Sequence, residues 1–206
     1  MDTLKSTFIH LINKYSDNNQ ICNELWAEIE LHYSDKKRYY HTLQHLDNLL
    51  TQLIDIQSDI RDWDTMLFSL YYHDIIYDVT LSDNEERSAE LAVKRLKQLD
   101  VSSSQTELCR QQILATKSHV QSTSSDTNYF TDADLSVLGQ DWAGYASYFR
   151  NIREEYSVYP DPVYQAGRKK VLHHFLGMER IFKTAYFYNK FEVQARENIQ
   201  KEFELL

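Results

Sequence analysis

The stretch WDTMLFSLYYHDIIY, residues 63–77, contains the pattern that decides the fold and an adjacent His73-Asp74 pair. Apolar side chains recur at helical spacing along its first half, at Trp63, Met66, Leu67, Leu70 and Tyr71. This pattern predicts a helix that carries the His-Asp pair to its carboxyl end beneath the core. A buried imidazole and carboxylate require a polar partner, and together they suit a borderline or hard divalent cation. We therefore predict that the pair binds a metal ion.

The rest of the chain has the composition of a helical protein. Its 206 residues include only four Gly and two Pro, and both prolines lie together at Pro160 and Pro162. Strands and hairpins need more Gly and Pro residues at their turns, so the scarcity of both favours long helices. With 42% hydrophobic residues, the chain can build the core of one domain, and we expect a single all-α domain over residues 1–206.

Apolar periodicity places the helices of the first half of the chain. A helical pair opens the sequence over residues 4–15 and 21–32, and the next helix is expected to begin near His41, which would place His41 and His45 one turn apart. Ser82 and Glu85 have the spacing of a capping box before a helix that runs to about Leu99. A further helix, over 108–117, delivers His119 just past its end.

The second half begins with a Ser/Thr-rich loop at 121–127. We expect a short helix around the triplet Asp132-Ala133-Asp134, which Gly139 stops. Three further helices are predicted over 141–156, 161–177 and 179–204, with a break in the last near Asn189.

Charge and composition exclude several classes of function. The net charge is −9 and no long Lys/Arg cluster occurs, which argues against binding to a nucleic-acid polymer but allows a small anionic substrate. Cys22 and Cys109 are far apart and read as reduced thiols, which favours a cytoplasmic protein. No apolar run resembles a signal peptide or a membrane span, so neither secretion nor membrane insertion is expected.

Potential metal ligands come from three separated parts of the sequence. An imidazole of His41 or His45 would approach from one helix, His73 and Asp74 from a second element, and Asp134 from a third. Rigid helices that converge can hold such a set and leave coordination positions open for water or substrate.

Four segments in this order resemble the HD-domain superfamily of metal-dependent phosphohydrolases, and in particular a bacterial branch of predicted members. They are RYYHTLQHL (38–46), FSLYYHDIIYD (68–78), DNEERSA (83–89) and TDADLSVLG (131–139). The likeness continues into 152–156, Arg168 and 192–198, and covers most of residues 35–200. It implies an all-α, HD-domain-like helical bundle, here with additional N- and C-terminal helices.

The resemblance also implies a ligand set and a cofactor. The ligands would be His45, in preference to His41, with His73, Asp74 and Asp134, the last fitting the family pattern better than Asp132. Next to a ligating His45, His41 would orient its neighbour or cap the helix. The cofactor would be a divalent ion, one of Mn, Mg, Co, Fe, Ni or Zn.

In the implied reaction, the metal polarises a phosphoryl oxygen and activates a bound water. Asp74 would serve catalysis as a ligand and Glu86 as a proton acceptor, whereas Glu85 is assigned to helix capping. Four side chains are candidates to hold the phosphate: Lys117, His119, Arg153 and Arg168. For Lys117 and His119 the alternative is to complete a second metal position. For both arginines an ion pair with one of the many carboxylates is the favoured alternative.

The sequence thus predicts a phosphohydrolase for a small phosphorylated substrate, with nucleotides among the candidates and homo-oligomerisation left open. One alternative is a non-catalytic module that binds a metal or a nucleotide. A second is an oxygenase with a di-iron HD site, which would need additional ligands, for which His41 and His119 are the nearby candidates.

Overall fold

The structure of the chain, a computed structural model, describes residues 2–206 and contains ten α-helices and no strand within that range. The prediction of an all-α protein is confirmed. The helices are α1 (Asp2–Ile12), α2 (Asn19–Tyr33), α3 (Leu43–Ile54), α4 (Trp63–Tyr72), α5 (Asn84–Gln98), α6 (Ser103–Ala115), α7 (Ser125–Asp134), α8 (Trp142–Glu155), α9 (Asp161–Gly177) and α10 (Ala185–Leu205). Short 3₁₀ helices cover Gln57–Asp59 and Leu135–Gly139. Among these described residues, no helix has both the length and the apolar character needed to span a bilayer.

The chain divides into two compact units, the first ending at Thr131 and the second running Asp132–Leu206. The division falls within α7. The first unit contains α1–α6 and the residues that surround the His-Asp pair, and the second contains α8–α10. The assignment of residues 1–206 to one domain stays a prediction.

Helix α4 lies at the centre of the first unit and packs against α1, α3, α5 and α6. Eight of its ten residues are buried, as expected for a helix that is apolar on all sides. Its start is fixed by two carboxylates: Asp62 accepts from the amide of Thr65, and buried Asp126 accepts from the amides of Arg61 and Asp62. Its C-cap is His73, so the predicted position of the His-Asp pair at the carboxyl end is confirmed.

Helix α3 begins two residues later than predicted. Thr42 is extended and is the N-cap, and its hydroxyl accepts from the amide of Gln44. His41 therefore precedes the helix, whereas His45 lies in its first turn and is buried.

The predicted capping box of Ser82 and Glu85 is wrong. Helix α5 begins at Asn84, after an N-cap Asp83 whose side chain makes no capping hydrogen bond. The Asn84 side chain instead accepts from the amide of Asp78 and donates to its carbonyl, which closes the preceding loop. The end predicted near Leu99 is confirmed, because Leu99 is the C-cap.

Three other boundaries differ from the prediction. Helix α6 begins at Ser103, because the Ser102 hydroxyl accepts from the amide of Gln105 and so caps a segment that reads as a polar break. Helix α7 begins at Ser125, inside the Ser/Thr-rich segment that was expected to be a loop. Helix α10 is continuous through Asn189 and begins only at Ala185.

In the second unit, α10 packs against α9 and against the 3₁₀ helix Leu135–Gly139. The Asn198 amide donates to the carbonyls of Leu138 and Gln140. Gly139 ends this element as predicted, but it does not adopt a positive φ. The glycine is needed because Phe191 lies against it and leaves no room for a β-carbon.

Replacing Gly139 by Ala is expected to lower the free energy of unfolding by about 1–3 kcal/mol, because a built β-carbon would lie only 2.8 Å from Cδ1 and the carbonyl oxygen of Phe191. Gly167 is the matched control, since nothing lies within 4 Å of a β-carbon built there, inside α9. Gly167→Ala should raise stability by about 0.5–1 kcal/mol. Urea unfolding followed by circular dichroism measures both changes, and changes of the same sign would contradict this account.

Candidate metal centre

His45, His73 and Asp74 converge in the first unit and form a group that could hold a metal ion. The Nε2 atoms of His45 and His73 are 3.1 Å apart, and Oδ2 of Asp74 lies 3.0 Å from His73 Nε2 and 3.8 Å from His45 Nε2. Both imidazoles are buried, and the Asp74 side chain is 17% exposed. One side of the group is therefore open to water or substrate.

The three distances have the dimensions of a coordination site. The circle through the three atoms has a radius of about 2 Å, the usual length of bonds from a divalent ion to nitrogen and oxygen. Two imidazole nitrogens and one carboxylate oxygen also form a donor set that suits a borderline divalent ion. The residues present therefore fit the metal ion that the sequence predicts.

The hydrogen bonding of His73 fixes the direction of its lone pair. His73 Nδ1 lies 2.9 Å from the carbonyl oxygen of Leu70, and because a carbonyl can only accept, Nδ1 carries the proton. In the neutral ring, Nε2 is then an acceptor that faces the Asp74 carboxylate. Two acceptors in contact at a buried site repel each other unless a cation lies between them. A backbone partner that fixes the tautomer in this way is characteristic of metal-binding histidines.

Aromatic rings frame the two buried histidines. The Tyr40 ring lies 4.9 Å from the ring of His45, and the Phe130 ring lies edge-on 5.7 Å from that of His73. Such surroundings exclude water from the imidazoles and lower the local dielectric constant, which strengthens any interaction with a bound cation.

His41 lies next to the group but outside it. Its Nε2 is 3.9 Å from Asp74 Oδ2, about as far as that of His45, and its ring lies tilted against that of Tyr77 with a centroid distance of 4.0 Å. Within residues 2–206, the group of converging ligands contains His45 and not His41. This geometry favours His45 as the first ligand, and the assignment stays a prediction.

The two aspartates of the Asp132-Ala133-Asp134 triplet have different surroundings. Asp132 is buried and accepts from the amides of Lys183 and Thr184 and from the Thr184 hydroxyl. Its oxygens therefore hold the segment that leads into α10. Asp134 is the half-buried last residue of α7 and belongs to the second unit. Its role as a fourth ligand stays a prediction.

Lys183 is a residue that the sequence gives no reason to single out. Its side chain is 5% exposed, and Nζ lies 3.3 Å from an Asp132 oxygen without a hydrogen bond to it. Burial lowers the pKa of Lys183, and the negative charge of Asp132 opposes that change. In the sequence Lys183 falls within the helix predicted over 179–204, and no local motif distinguishes it from a surface lysine.

Glu86 and Lys117, predicted as proton acceptor and phosphate ligand, contact each other. Lys117 Nζ donates to Glu86 Oε1 and to the carbonyl of Ser82, and lies 3.8 Å from Glu85. The hydrogen bond from Lys117 lowers the pKa of Glu86 and keeps it ionised. The second oxygen of Glu86, Oε2, is buried and has no hydrogen-bond partner.

His119 follows α6 with a left-handed φ of 52°, a conformation that histidine adopts more readily than most residues. Its amide donates to the carbonyl of Ala115 and so closes the helix end. The side chain is half-exposed. Its predicted part in phosphate binding is not tested by these contacts.

Both predicted arginines lie in the second unit and have carboxylate partners there. Arg168 is buried and makes a two-point contact with Glu202, at 2.7 and 2.8 Å. Arg153 binds Asp161 and two backbone carbonyls. These contacts agree with the ion-pair alternative for both residues, and phosphate binding stays a prediction.

Comparison with known proteins adds no relative: no protein-family model, curated protein or solved structure matches this chain. The resemblance to the HD-domain superfamily therefore rests on the four sequence segments.

Removing a ligand should weaken metal binding without unfolding the protein. For His73→Ala and Asp74→Ala, the dissociation constant for Co²⁺ is expected to rise by at least about 100-fold, because a lost ligand costs no less than a lost outer-shell partner. Titration followed by visible absorption measures the affinity, and circular dichroism verifies the fold. His10→Ala, at an exposed site on α1, is the matched control. Unchanged Co²⁺ affinity in folded His73 and Asp74 variants would show that this is not the metal site.

Proposed function

We propose that this chain is a metal-dependent phosphohydrolase of the HD type, which cleaves a phosphate ester of a small substrate. The observation that carries the proposal is the group formed by His45, His73 and Asp74. These residues stand in the order His, then His-Asp, that the resemblance implies. His45 lies in the first turn of α3, whereas His73 caps the end of α4 and Asp74 follows it. Asp134 is proposed as a further ligand and His41 as a neighbour of the site.

A divalent ion bound by these residues would supply a Lewis acid and lower the pKa of a coordinated water. Two imidazoles and a carboxylate suit Mn²⁺, Fe²⁺, Co²⁺, Ni²⁺ or Zn²⁺ better than Mg²⁺, which prefers oxygen ligands. The Leu70 carbonyl holds the tautomer of His73 that presents Nε2 as a ligand. The partly exposed Asp74 leaves an approach for the substrate.

Glu86 is proposed as the proton acceptor for the attacking water. Lys117 binds Oε1 and keeps the carboxylate ionised. Oε2 has no hydrogen-bond partner but is buried, so a rotation of the side chain would have to turn it toward the attacking water. The lowered pKa makes Glu86 a weaker base but keeps it deprotonated near neutral pH. To contact a phosphate, Lys117 would have to exchange Glu86 for a phosphoryl oxygen.

A substrate screen tests the proposal. Nucleoside mono-, di- and triphosphates and generic phosphoesters would be incubated with the protein and Mn²⁺, Mg²⁺, Co²⁺ or Fe²⁺, and released phosphate measured, with Asp74→Ala as the inactive control. We expect turnover with at least one metal and substrate class, and its loss in the variant. Metal binding without turnover would favour a non-catalytic binding module. Oxygen consumption by the Fe²⁺ form would favour the oxygenase alternative.

Glu86→Gln is expected to lower kcat by about 10²- to 10⁴-fold, because the amide cannot accept the proton from water. Affinity for Co²⁺ should stay unchanged, since Glu86 is not among the proposed ligands. Glu90→Gln, at an exposed position on the same helix, is the matched control and should retain full activity. A Glu86→Gln variant with wild-type kcat would remove Glu86 from the mechanism.

A further inference from the structure

Arg38 is a buried cation whose hydrogen bonds go to backbone carbonyls. Its side chain donates from Nη1 to the carbonyls of Asp74 (2.7 Å) and His41 (3.3 Å), and from Nη2 to that of Ile75 (2.9 Å). The residue is only 8% exposed. A guanidinium removed from water needs hydrogen-bond acceptors for its N–H groups, and here three carbonyl oxygens are those acceptors.

Aromatic rings complete the surroundings of this guanidinium. It lies 4.9 Å from the ring centroid of Tyr33 and 5.6 Å from that of Tyr77. Tyr33 also holds the same turn, because its hydroxyl accepts from the amide of Asp74. The backbone of Asp74 is therefore fixed at its amide by Tyr33 and at its carbonyl by Arg38.

The three carbonyls belong to the two segments that present the proposed ligands. The His41 carbonyl lies directly before the N-cap of α3, the helix that carries His45 in its first turn. The carbonyls of Asp74 and Ile75 lie in the turn that follows His73 at the end of α4. One guanidinium thus joins both segments, and its planar fork can do so in a way that the single amine of lysine cannot.

We propose that Arg38 is a positioning residue, which sets the spacing between the His45 helix and the His73-Asp74 turn before a cation binds. The inference rests on the metal site of the proposed function, but not on phosphate hydrolysis. Arg38 contacts neither metal nor substrate in this role. It acts through the backbone of Asp74 and of the segment before α3.

Charge and geometry make opposite predictions for the removal of Arg38. A buried positive charge near a cation site opposes metal binding, so its loss would strengthen binding if charge dominated. If positioning dominates, its loss weakens binding, because ligands that are not held in place must be ordered by the metal. The sign of the change therefore separates the two effects.

The experiment measures Co²⁺ affinity and the visible absorption spectrum of the full chain in three variants. For Arg38→Met we expect the dissociation constant to rise by about 10- to 100-fold, the range found for other residues that orient ligands. Arg38→Lys, which keeps the charge, should show a similar loss and an altered spectrum. Arg95→Met is the matched control, since Arg95 makes a comparable two-point contact with Glu28 elsewhere in the first unit and should leave Co²⁺ binding unchanged.

Chemical rescue by guanidinium ion distinguishes a positioning role of Arg38 from a general loss of structure. In Arg38→Ala, added guanidinium ion at concentrations well below those that unfold the protein should restore part of the Co²⁺ affinity and the wild-type spectrum, whereas Na⁺ at equal ionic strength should not. If Arg38→Met fails to fold, the folded Arg38→Lys variant supplies the measurement, and wild-type affinity in it would overturn the inference.

The outcomes distinguish this inference from the proposed function. Wild-type affinity or tighter binding in Arg38→Met would overturn the positioning role and leave the metal site standing. An absence of Co²⁺ binding by the wild-type chain would overturn both. Weakened binding in the Arg38 variants of a protein without phosphatase activity would support the positioning role and contradict the phosphohydrolase proposal.

Discussion

The contact between His73 Nε2 and Asp74 Oδ2, 3.0 Å apart at the carboxyl end of α4, sets the geometry of the candidate metal site. It arises because α4 is enclosed by other helices and ends inside the protein, where water cannot satisfy its last carbonyls. Side chains hydrogen-bond to the backbone carbonyls there instead. His73 Nδ1 donates to the Leu70 carbonyl and so turns its other nitrogen toward Asp74, and Arg38 binds the carbonyls of the following turn. Satisfying the helix end therefore creates the facing acceptors that make this group a candidate cation site.

The buried and half-buried carboxylates of this chain differ in the groups that they contact. Asp126 accepts from the amides that open α4, Asp132 from those of Lys183 and Thr184, and Glu192 from those of Ile181 and Phe182. In all three the negative charge stabilises a chain segment by accepting from its backbone amides. Asp74 instead faces imidazole nitrogens, and His45 and His73 both lie within 3.8 Å of its Oδ2. That difference in surroundings, rather than the residue type, identifies Asp74 as the candidate ligand.

Local patterns made the helical class and the position of the His-Asp pair predictable. An apolar helix that ends at two polar residues can be predicted from the spacing of its apolar side chains alone. The C-cap position of His73 agrees with that prediction. The contacts that tertiary packing creates were not predictable. The pairing of Glu86 with Lys117 joins residues 31 positions apart, and the burial of Lys183 depends on Asp132, 51 positions away in sequence. The predicted capping box at Ser82 does not form, and the Asn84 side chain instead hydrogen-bonds to the backbone amide and carbonyl of Asp78.

The helix ends that carry the two histidines determine how the three acceptor atoms face one another. Thr42 caps α3, so His45 is the third residue of the helix, near the positive end of the helix dipole. His73 lies at the opposite kind of terminus and is fully buried, with Oδ2 of Asp74 3.0 Å from its Nε2. A single proton on Nε2 of either ring could lie between only two of the three acceptor atoms. The third atom would still face a lone pair. A divalent ion about 2 Å from all three atoms would satisfy them together, which a single shared proton could not do.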